Sequence, residues 1–167
     1  MSVTLSGSGS VQSKNMISQL LGGGVAHWSG LLLRLTLALV LFPHGAQKLL
    51  GWFGGYGWSG TMGFLTGTIG VPSVIAALVI VIEFFAPIAL LLGLLTRPAA
   101  LGVVAVMVGA IATVHAPNGF FMNWSGAQAG EGFEYHLLVL GIAAALIVGG
   151  GGRGALDRKL FAPASGR

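Results

Sequence analysis

Residues 71–95 read VPSVIAALVIVIEFFAPIALLLGLL, and this stretch decides the fold class. Glu83 is its one ionisable side chain. A helix needs about 20 consecutive apolar residues to cross a bilayer, and a buried core helix rarely has so long an apolar run. Pro72 suits the first position of such a helix, because the N–H that proline lacks would find no partner there anyway. The stretch therefore predicts a membrane-spanning helix.

Three further apolar segments flank it, at residues 28–50, 98–115 and 133–150. Arg97-Pro98 separates the second segment from the third, and Pro117-Asn118-Gly119 ends the third. The last segment is short for a crossing and needs residues from its flanks. The pattern predicts an all-α integral membrane protein, with a bundle of four transmembrane helices over residues 28–152.

The composition supports a lipid environment. Of 167 residues, 54% are hydrophobic and 7% are charged, whereas about a quarter are charged in soluble domains. So few charges cannot coat a surface that faces water. The chain has no cysteine, which excludes a disulfide framework and a thiol relay of its own. The net charge is only +4 and the basic residues form no stripe, so we expect the bilayer as partner and no nucleic acid.

The two ends and the loops indicate the orientation. Residues 1–27 are Gly- and Ser-rich and are predicted to be mostly disordered or interfacial, while residues 153–167 form a basic tail. With four spans, both termini share a side with the loop around Arg97. Lys48 is the one basic residue on the other side, so the positive-inside rule places both termini in the cytoplasm. The cytoplasmic basic residues are Lys14, Arg97, Arg153, Arg158, Lys159 and Arg167.

The two outer loops, residues 51–70 and 116–134, are rich in aromatic residues. This pattern is typical of an interfacial belt and favours loops that partly re-enter the membrane as a cap. Glu131, Glu134, Asn118 and His136 are interpreted as loop or helix-cap residues. The aromatic residues are Trp52, Phe53, Tyr56, Trp58, Phe64, Phe120, Phe121 and Trp124.

The candidate site residues are the polar side chains inside the spans. A charge at mid-bilayer costs about 2.5 kcal/mol or more, so each needs a partner or a function. At about 1.5 Å per residue, His44 and His115 lie at one depth with Glu83 just beneath them and Arg34 lower. Pro87 removes the helical donor to the carbonyl of Glu83, which leaves a free acceptor beside the buried acid. The candidates are Arg34, His44, Lys48, Glu83 and His115.

Over residues 28–160 the chain resembles the DoxX family of small bacterial inner-membrane proteins. The resemblance implies a four-helix protein of the bacterial inner membrane, and it lends weight to His44, Lys48, Glu83, Arg97 and His115. Some members are associated with quinone-linked sulfur oxidation, and most carry only an oxidoreductase label. The residues that carry it are Arg34-Leu35, His44-Gly45, Gln47-Lys48-Leu49, Gly51-Trp52-Phe53-Gly54-Gly55, Glu83-Phe84-Phe85, Leu94-Leu95-Thr96-Arg97-Pro98, His115, Asn118-Gly119-Phe120-Phe121 and Glu134-Tyr135.

The first functional hypothesis is a polar pocket in the outer half of the bundle that binds a quinone headgroup. Histidine and carboxylate groups can hydrogen-bond the carbonyls of a quinone and exchange its protons near neutral pH. His44, Glu83 and His115 would form the pocket, with Arg34 and Lys48 near its ends. Whether the chain is an enzyme stays open at this point.

Three alternatives to the quinone pocket remain open. Arg34 and Glu83 would form a buried pair that steadies the bundle. His44 and His115 with a carboxylate would hold a metal or a haem, although no motif with ligand spacing supports this. The chain would otherwise be a non-catalytic scaffold or an accessory subunit for a redox enzyme. Gly141, Ala145 and Gly149, spaced four apart, also allow close helix approach and hence a homo-oligomer.

Overall fold

The computed structural model of the protein describes residues 25–160. All regular secondary structure in this part of the chain is helical, and these residues contain no strand. Turns of π-helix lie at Phe64–Thr68 and Ile111–His115, each directly after an α-helix, and 3-10 turns lie at Trp52–Gly54 and Ala116–Asn118. Predictions for residues before 25 and after 160 lie outside the described residues. The helices are α1 (Val25–Leu50), α2 (Gly57–Gly63), α3 (Ser73–Leu92), α4 (Thr96–Ala110), α5 (Glu134–Gly149) and α6 (Asp157–Leu160).

Three helical segments of the described chain are long and apolar enough to cross a membrane. They are Trp28–Leu50, Ser73–Leu92 and Thr96–Asn118, and they coincide with the predicted segments 28–50, 71–95 and 98–115. Helix α5 is apolar but shorter, and it lies inside the predicted segment 133–150. The described chain is therefore an all-helical bundle of the membrane type, as predicted.

Helix α3 ends where a glycine adopts a left-handed conformation. Gly93 has a φ of 63°, and its N–H donates to the carbonyl of Leu90 at 3.0 Å. The N–H of Leu94 donates to the carbonyl of Ala89 at 2.9 Å. This pairing satisfies carbonyls that lose their helical donors. It ends the helix at Leu92, three residues before the predicted end of the segment.

The long helices pack as antiparallel neighbours around one apolar core. α1 packs mainly against α3, and α4 packs against both α3 and α5. Leu37, Leu90 and Leu146 contribute to the core from three different helices and are almost fully buried. Leu39 and Val148 are 77% and 80% exposed on the outside of the bundle. Large apolar side chains exposed all around a bundle suit contact with lipid chains.

The small-residue stripe of α5 meets no other helix of the described chain. A Cβ at Gly141 or Gly149 would have no atom within 4 Å. The close helix approach occurs elsewhere, at Gly45 of α1. The stripe is therefore available to lipid or to another chain, and the homo-oligomer stays a prediction.

After α5 the chain turns back to the end of α3. The N–H of Asp157 donates to the carbonyl of Gly93 at 2.9 Å. The carboxylate of Asp157 accepts from the N–H groups of Leu95 and Thr96 at 2.6 and 2.8 Å. These N–H groups begin α4 and have no helical acceptor, so Asp157 caps that helix from a distant part of the sequence. The C-terminal segment thus fixes the ends of α3 and α4 together.

Candidate functional site

The candidate site begins with an ion pair between α1 and α3. Lys48 Nζ lies 2.5 Å from Glu83 Oε1, and the two side chains are 35% and 11% exposed. The second carboxylate oxygen, Glu83 Oε2, is buried and has no hydrogen-bond partner among the described residues. A buried polar atom without a partner is uncommon in proteins. Glu83 therefore retains an acceptor that the described side chains leave unused.

A close backbone contact sets the position of this pair. Gly45 of α1 packs on the backbone of Glu83, and a Cβ there would lie 2.6 Å from the Glu83 carbonyl carbon. Pro87, inside α3, has no N–H to donate to the Glu83 carbonyl, as the sequence predicts. A glycine and a proline thus bring two helix backbones together at the level of the buried acid. Lys48 lies one turn further along α1 and reaches the carboxylate from there.

Lys48 also forms part of a cleft of about 520 Å³ between α1 and the α2 region. Thr61 Oγ1 donates to the carbonyl of Lys48 at 3.2 Å, and Gln47 Nε2 donates to the carbonyl of Phe53 at the same distance. These bonds hold the short helix against the end of α1. Lys48 is the charged residue among those that line the cleft. The lining residues are Gln47, Lys48, Gly54, Gly55, Tyr56, Gly60, Thr61 and Phe64.

Polar rings continue from the ion pair toward the 116–134 loop. The ring centroids of His44 and Tyr135 are 6.4 Å apart, those of Tyr135 and His136 are 5.6 Å apart, and those of His136 and His115 are 4.1 Å apart. Glu83 lies close enough for its charge to act on both His44 and Tyr135. Tyr135 Oη and His136 Nδ1 are buried and have no partner among the described residues. We call His44, Lys48, Glu83, His115, Tyr135 and His136 the outer polar cluster.

The far end of the cluster is joined to the loop. His115 Nδ1 lies 2.8 Å from the carbonyl of Glu131. Asn118 Nδ2 donates to the same carbonyl at 3.1 Å. Glu131 accepts a hydrogen bond from the N–H of Asn123 at 2.6 Å, and Glu134 accepts one from the N–H of Met122 at 2.8 Å. Asn118, Glu131 and Glu134 therefore form hydrogen bonds within the loop, as the sequence analysis predicts.

Arg34 lies at the opposite end of the bundle from the cluster. Its Nε donates to the carbonyl of Gly151 at 3.0 Å, and its two Nη atoms donate to the carbonyls of Leu90 and Arg153 at 3.1 and 3.2 Å. The side chain is 3% exposed. The alternative prediction of an Arg34–Glu83 pair is wrong, because Arg34 ties together the ends of α3 and α5 and Glu83 pairs with Lys48. Of the five candidates, the structure brings His44, Lys48 and Glu83 together and connects His115 to them through His136.

The sequence interpretation missed two members of the cluster. From the sequence, His136 is interpreted as a loop or helix-cap residue, and the structure places it in the first turn of α5, where it is 6% exposed. Tyr135 entered only as part of a family motif. The sequence does contain one signal for these residues, an ionisable ring at the start of an apolar helix. Ionisable side chains inside membrane segments usually have a partner, so such a ring is a candidate site residue.

The geometry gives no support to a metal site. Among residues 25–160, no group of three or more His, Asp or Glu side chains is arranged so that it could hold a metal ion. The histidine rings follow one another in a row and do not converge on a common point with a carboxylate.

Comparisons with known proteins agree with this description. The family model named DoxX matches residues 29–116. The chain is 33% identical over 116 residues to "Putative oxidoreductase CatD" of Bacillus subtilis (strain 168), which covers 70% of this chain and 76% of that protein. No solved structure matches the chain.

Proposed function

This chain belongs to the DoxX family, and we propose that it is a small redox-associated subunit of the bacterial inner membrane that binds a quinone headgroup in the Lys48 cleft. The observation that carries the proposal is the Lys48–Glu83 ion pair at the wall of that cleft. The relative from Bacillus subtilis carries the name "Putative oxidoreductase CatD", which points to the same class of chemistry.

The proposed arrangement has four membrane crossings with both termini in the cytoplasm. The support for a fourth crossing is that α5 runs alongside α4 from end to end. Arg97 donates to the carbonyl of Val148 at 3.2 Å at one end, and the rings of His115 and His136 lie 4.1 Å apart at the other. A helix held against a spanning neighbour at both ends covers the same depth of the bilayer.

Lys48 supplies the chemistry that a quinone carbonyl requires. An ammonium group has three N–H donors, and Glu83 accepts one of them. The remaining donors are directed by the ion pair and can bond a carbonyl oxygen in the cleft. Charge on the oxygen of a reduced headgroup would be stabilised by the same ammonium. Arg34 is left out of the proposed site, because its donors are used on carbonyls at the other end of the bundle.

The cleft suits a flat ring in size and lining. Its volume of about 520 Å³ falls within the range of about 300–1,000 Å³ that is usual for small-molecule pockets. Tyr56 and Phe64 offer aromatic faces, and Gly54, where an added Cβ would meet no atom within 4 Å, leaves its backbone open to close approach. The charges of Lys48 and Glu83 both act on the ring of His44, which lies one turn before Lys48 on α1.

A binding titration with a short-tailed benzoquinone tests the proposal. The quinone quenches the fluorescence of the tryptophans, so purified protein in detergent gives the dissociation constant directly. We expect Lys48→Met and Phe64→Ala to weaken binding at least tenfold, because one removes the donor and the other an aromatic wall.

Two matched variants serve as controls. Arg97→Met removes a cation at the other end of the bundle, and Phe121→Ala removes an exposed aromatic side chain outside the cleft. Both should bind as the parent does. Equal binding by all four variants, or no saturable binding by the parent, would overturn the proposal.

The second candidate is a non-catalytic accessory subunit that docks a redox enzyme. It is favoured by the large aromatic side chains exposed on the outer loops, among them Trp124 at 88% and Tyr56 at 86%. The two candidates differ in a turnover assay. A catalytic subunit reduces or oxidises the quinone analogue when isolated, whereas an accessory subunit does so only with its partner present.

A further inference from the structure

The outer polar cluster contains buried polar atoms that the described side chains leave without partners. Glu83 Oε2, Tyr135 Oη and His136 Nδ1 are three of the four such atoms in the described chain. The fourth, Thr96 Oγ1, lies at the other end of the bundle. Since buried polar groups are almost always hydrogen-bonded, their grouping around one row of rings calls for bridging partners. Water or a polar ligand would supply these.

The row of groups connects the ion pair to the loop surface. His44 lies one turn before Lys48 on α1, and its ring is 6.4 Å from that of Tyr135. The ring of Tyr135 lies 5.6 Å from that of His136, and the ring of His136 lies 4.1 Å from that of His115. His115 is partly exposed and reaches the carbonyl of Glu131 in the loop. Bridging waters at the unpartnered atoms of Glu83, Tyr135 and His136 would connect this row by hydrogen bonds.

We propose that Tyr135, His136 and His115 form a proton relay that joins the Lys48–Glu83 ion pair to the outer surface of the protein. Each step breaks one O–H or N–H bond and forms another, with no change in oxidation state, so the relay needs no co-reactant. An imidazole can accept a proton at one ring nitrogen while it releases one from the other, and a phenol hydroxyl can pass one along a hydrogen-bonded chain.

The groups around the relay are polar but few. Lys48 pairs with Glu83 from α1, and the ring of His115 lies 4.1 Å from that of His136. The ring of His44, also on α1, lies 6.4 Å from that of Tyr135. Glu83 also borders a cavity of about 10 Å³ that is lined by apolar side chains, among them Leu41, Pro87 and Met107. A cavity of that size is at the lower limit for a single water. The rings are therefore the polar groups through which we expect Glu83 to reach solvent.

Time-resolved infrared spectroscopy after a pH jump tests the relay without any quinone. The chain has only four acidic residues, so the Glu83→Gln variant assigns the carboxyl band of Glu83 by difference. We expect Tyr135→Phe, which removes one oxygen atom, and His136→Gln to slow protonation of Glu83 at least tenfold. Tyr56→Phe, in the cleft, should leave the rate unchanged. Circular dichroism melting confirms that each variant folds.

Two outcomes overturn the inference. One is a Glu83 carboxyl band that does not change between pH 9 and pH 3 in the parent, because no proton then reaches the ion pair. The other is a protonation rate that is the same in Tyr135→Phe, His136→Gln and the parent. Either result leaves the quinone titration unaffected, so failure of the relay and failure of the proposed function can be told apart.

Discussion

Gly45 of α1 lies directly against the backbone of Glu83 in α3. A Cβ at this position would come within 2.6 Å of the Glu83 carbonyl carbon and of Phe84 Cα, a distance that real Cβ atoms essentially never show. The contact is between two backbones, so no side chain can move to relieve it. The position of the buried acid opposite Lys48 therefore depends on a residue without a side chain.

Gly45→Ala is expected to destabilise the protein by about 2–3 kcal/mol, because overpacking of a rigid contact forces the helices apart. The free energy of unfolding in detergent measures this. The matched control is Gly141→Ala, where the added methyl meets no atom within 4 Å. Alanine is the better helix former by up to about 1 kcal/mol, so this control should be neutral or stabilising. Equal stability of the two variants would show that α1 and α3 do not touch at Gly45.

Arg34→Met is expected to lower the free energy of unfolding by about 3 kcal/mol or more. Several backbone carbonyls at the ends of α3 and α5 lose a charged donor, and each such bond contributes about 1.5–3 kcal/mol. Arg97→Met removes one exposed bond, to Val148, and should cost less than about 1 kcal/mol. A small loss for Arg34→Met would mean that the carbonyls find other partners. Quinone binding should stay unchanged in both variants.

Much of the fold follows from the sequence because lipid imposes a simple rule on it. Long apolar runs must form helices in a bilayer, so the segments 28–50, 71–95 and 98–115 could be predicted from hydrophobicity alone. The ends are less predictable, since they depend on local turns such as the left-handed Gly93. The last helix is the least predictable, because Glu134–Gly149 is shorter than a typical crossing and its depth depends on contacts with α4.

The candidate site could be predicted only in part. Depth along a helix follows from residue number, and it correctly indicated that His44 and Glu83 lie near one another. The partner of Glu83 depends on how two helices are rotated against each other, which hydrophobicity does not fix. Arg34 shows the same limit, because its hydrogen-bond partners are backbone carbonyls. Every residue has a backbone carbonyl, so no sequence pattern identifies these partners.

The Lys48–Glu83 pair should show strong coupling in a double-mutant cycle. Lys48→Met leaves a largely buried carboxylate without its cation, and Glu83→Leu leaves the ammonium without its anion. Each single change is expected to cost about 3 kcal/mol, whereas the double variant should lose much less than the sum. Chemical unfolding of the four proteins in detergent gives the coupling energy. Additive losses would mean that the two side chains do not interact in the membrane.

The orientation of the bundle can be tested with single cysteines, because the natural chain has none. Trp124→Cys places a thiol on an outer loop, at a position that is 88% exposed, and Lys159→Cys places one on the exposed surface of α6. A membrane-impermeant maleimide added to intact spheroplasts should label Trp124→Cys at once and Lys159→Cys only after the membrane is opened. The positive-inside rule is the physical reason, since it favours a cytoplasmic position for Arg97 at the start of α4 and for the basic residues that follow α5. Labelling of Lys159→Cys in intact spheroplasts would reverse the topology and would put the Lys48 cleft and the His115 end of the relay on the cytoplasmic side.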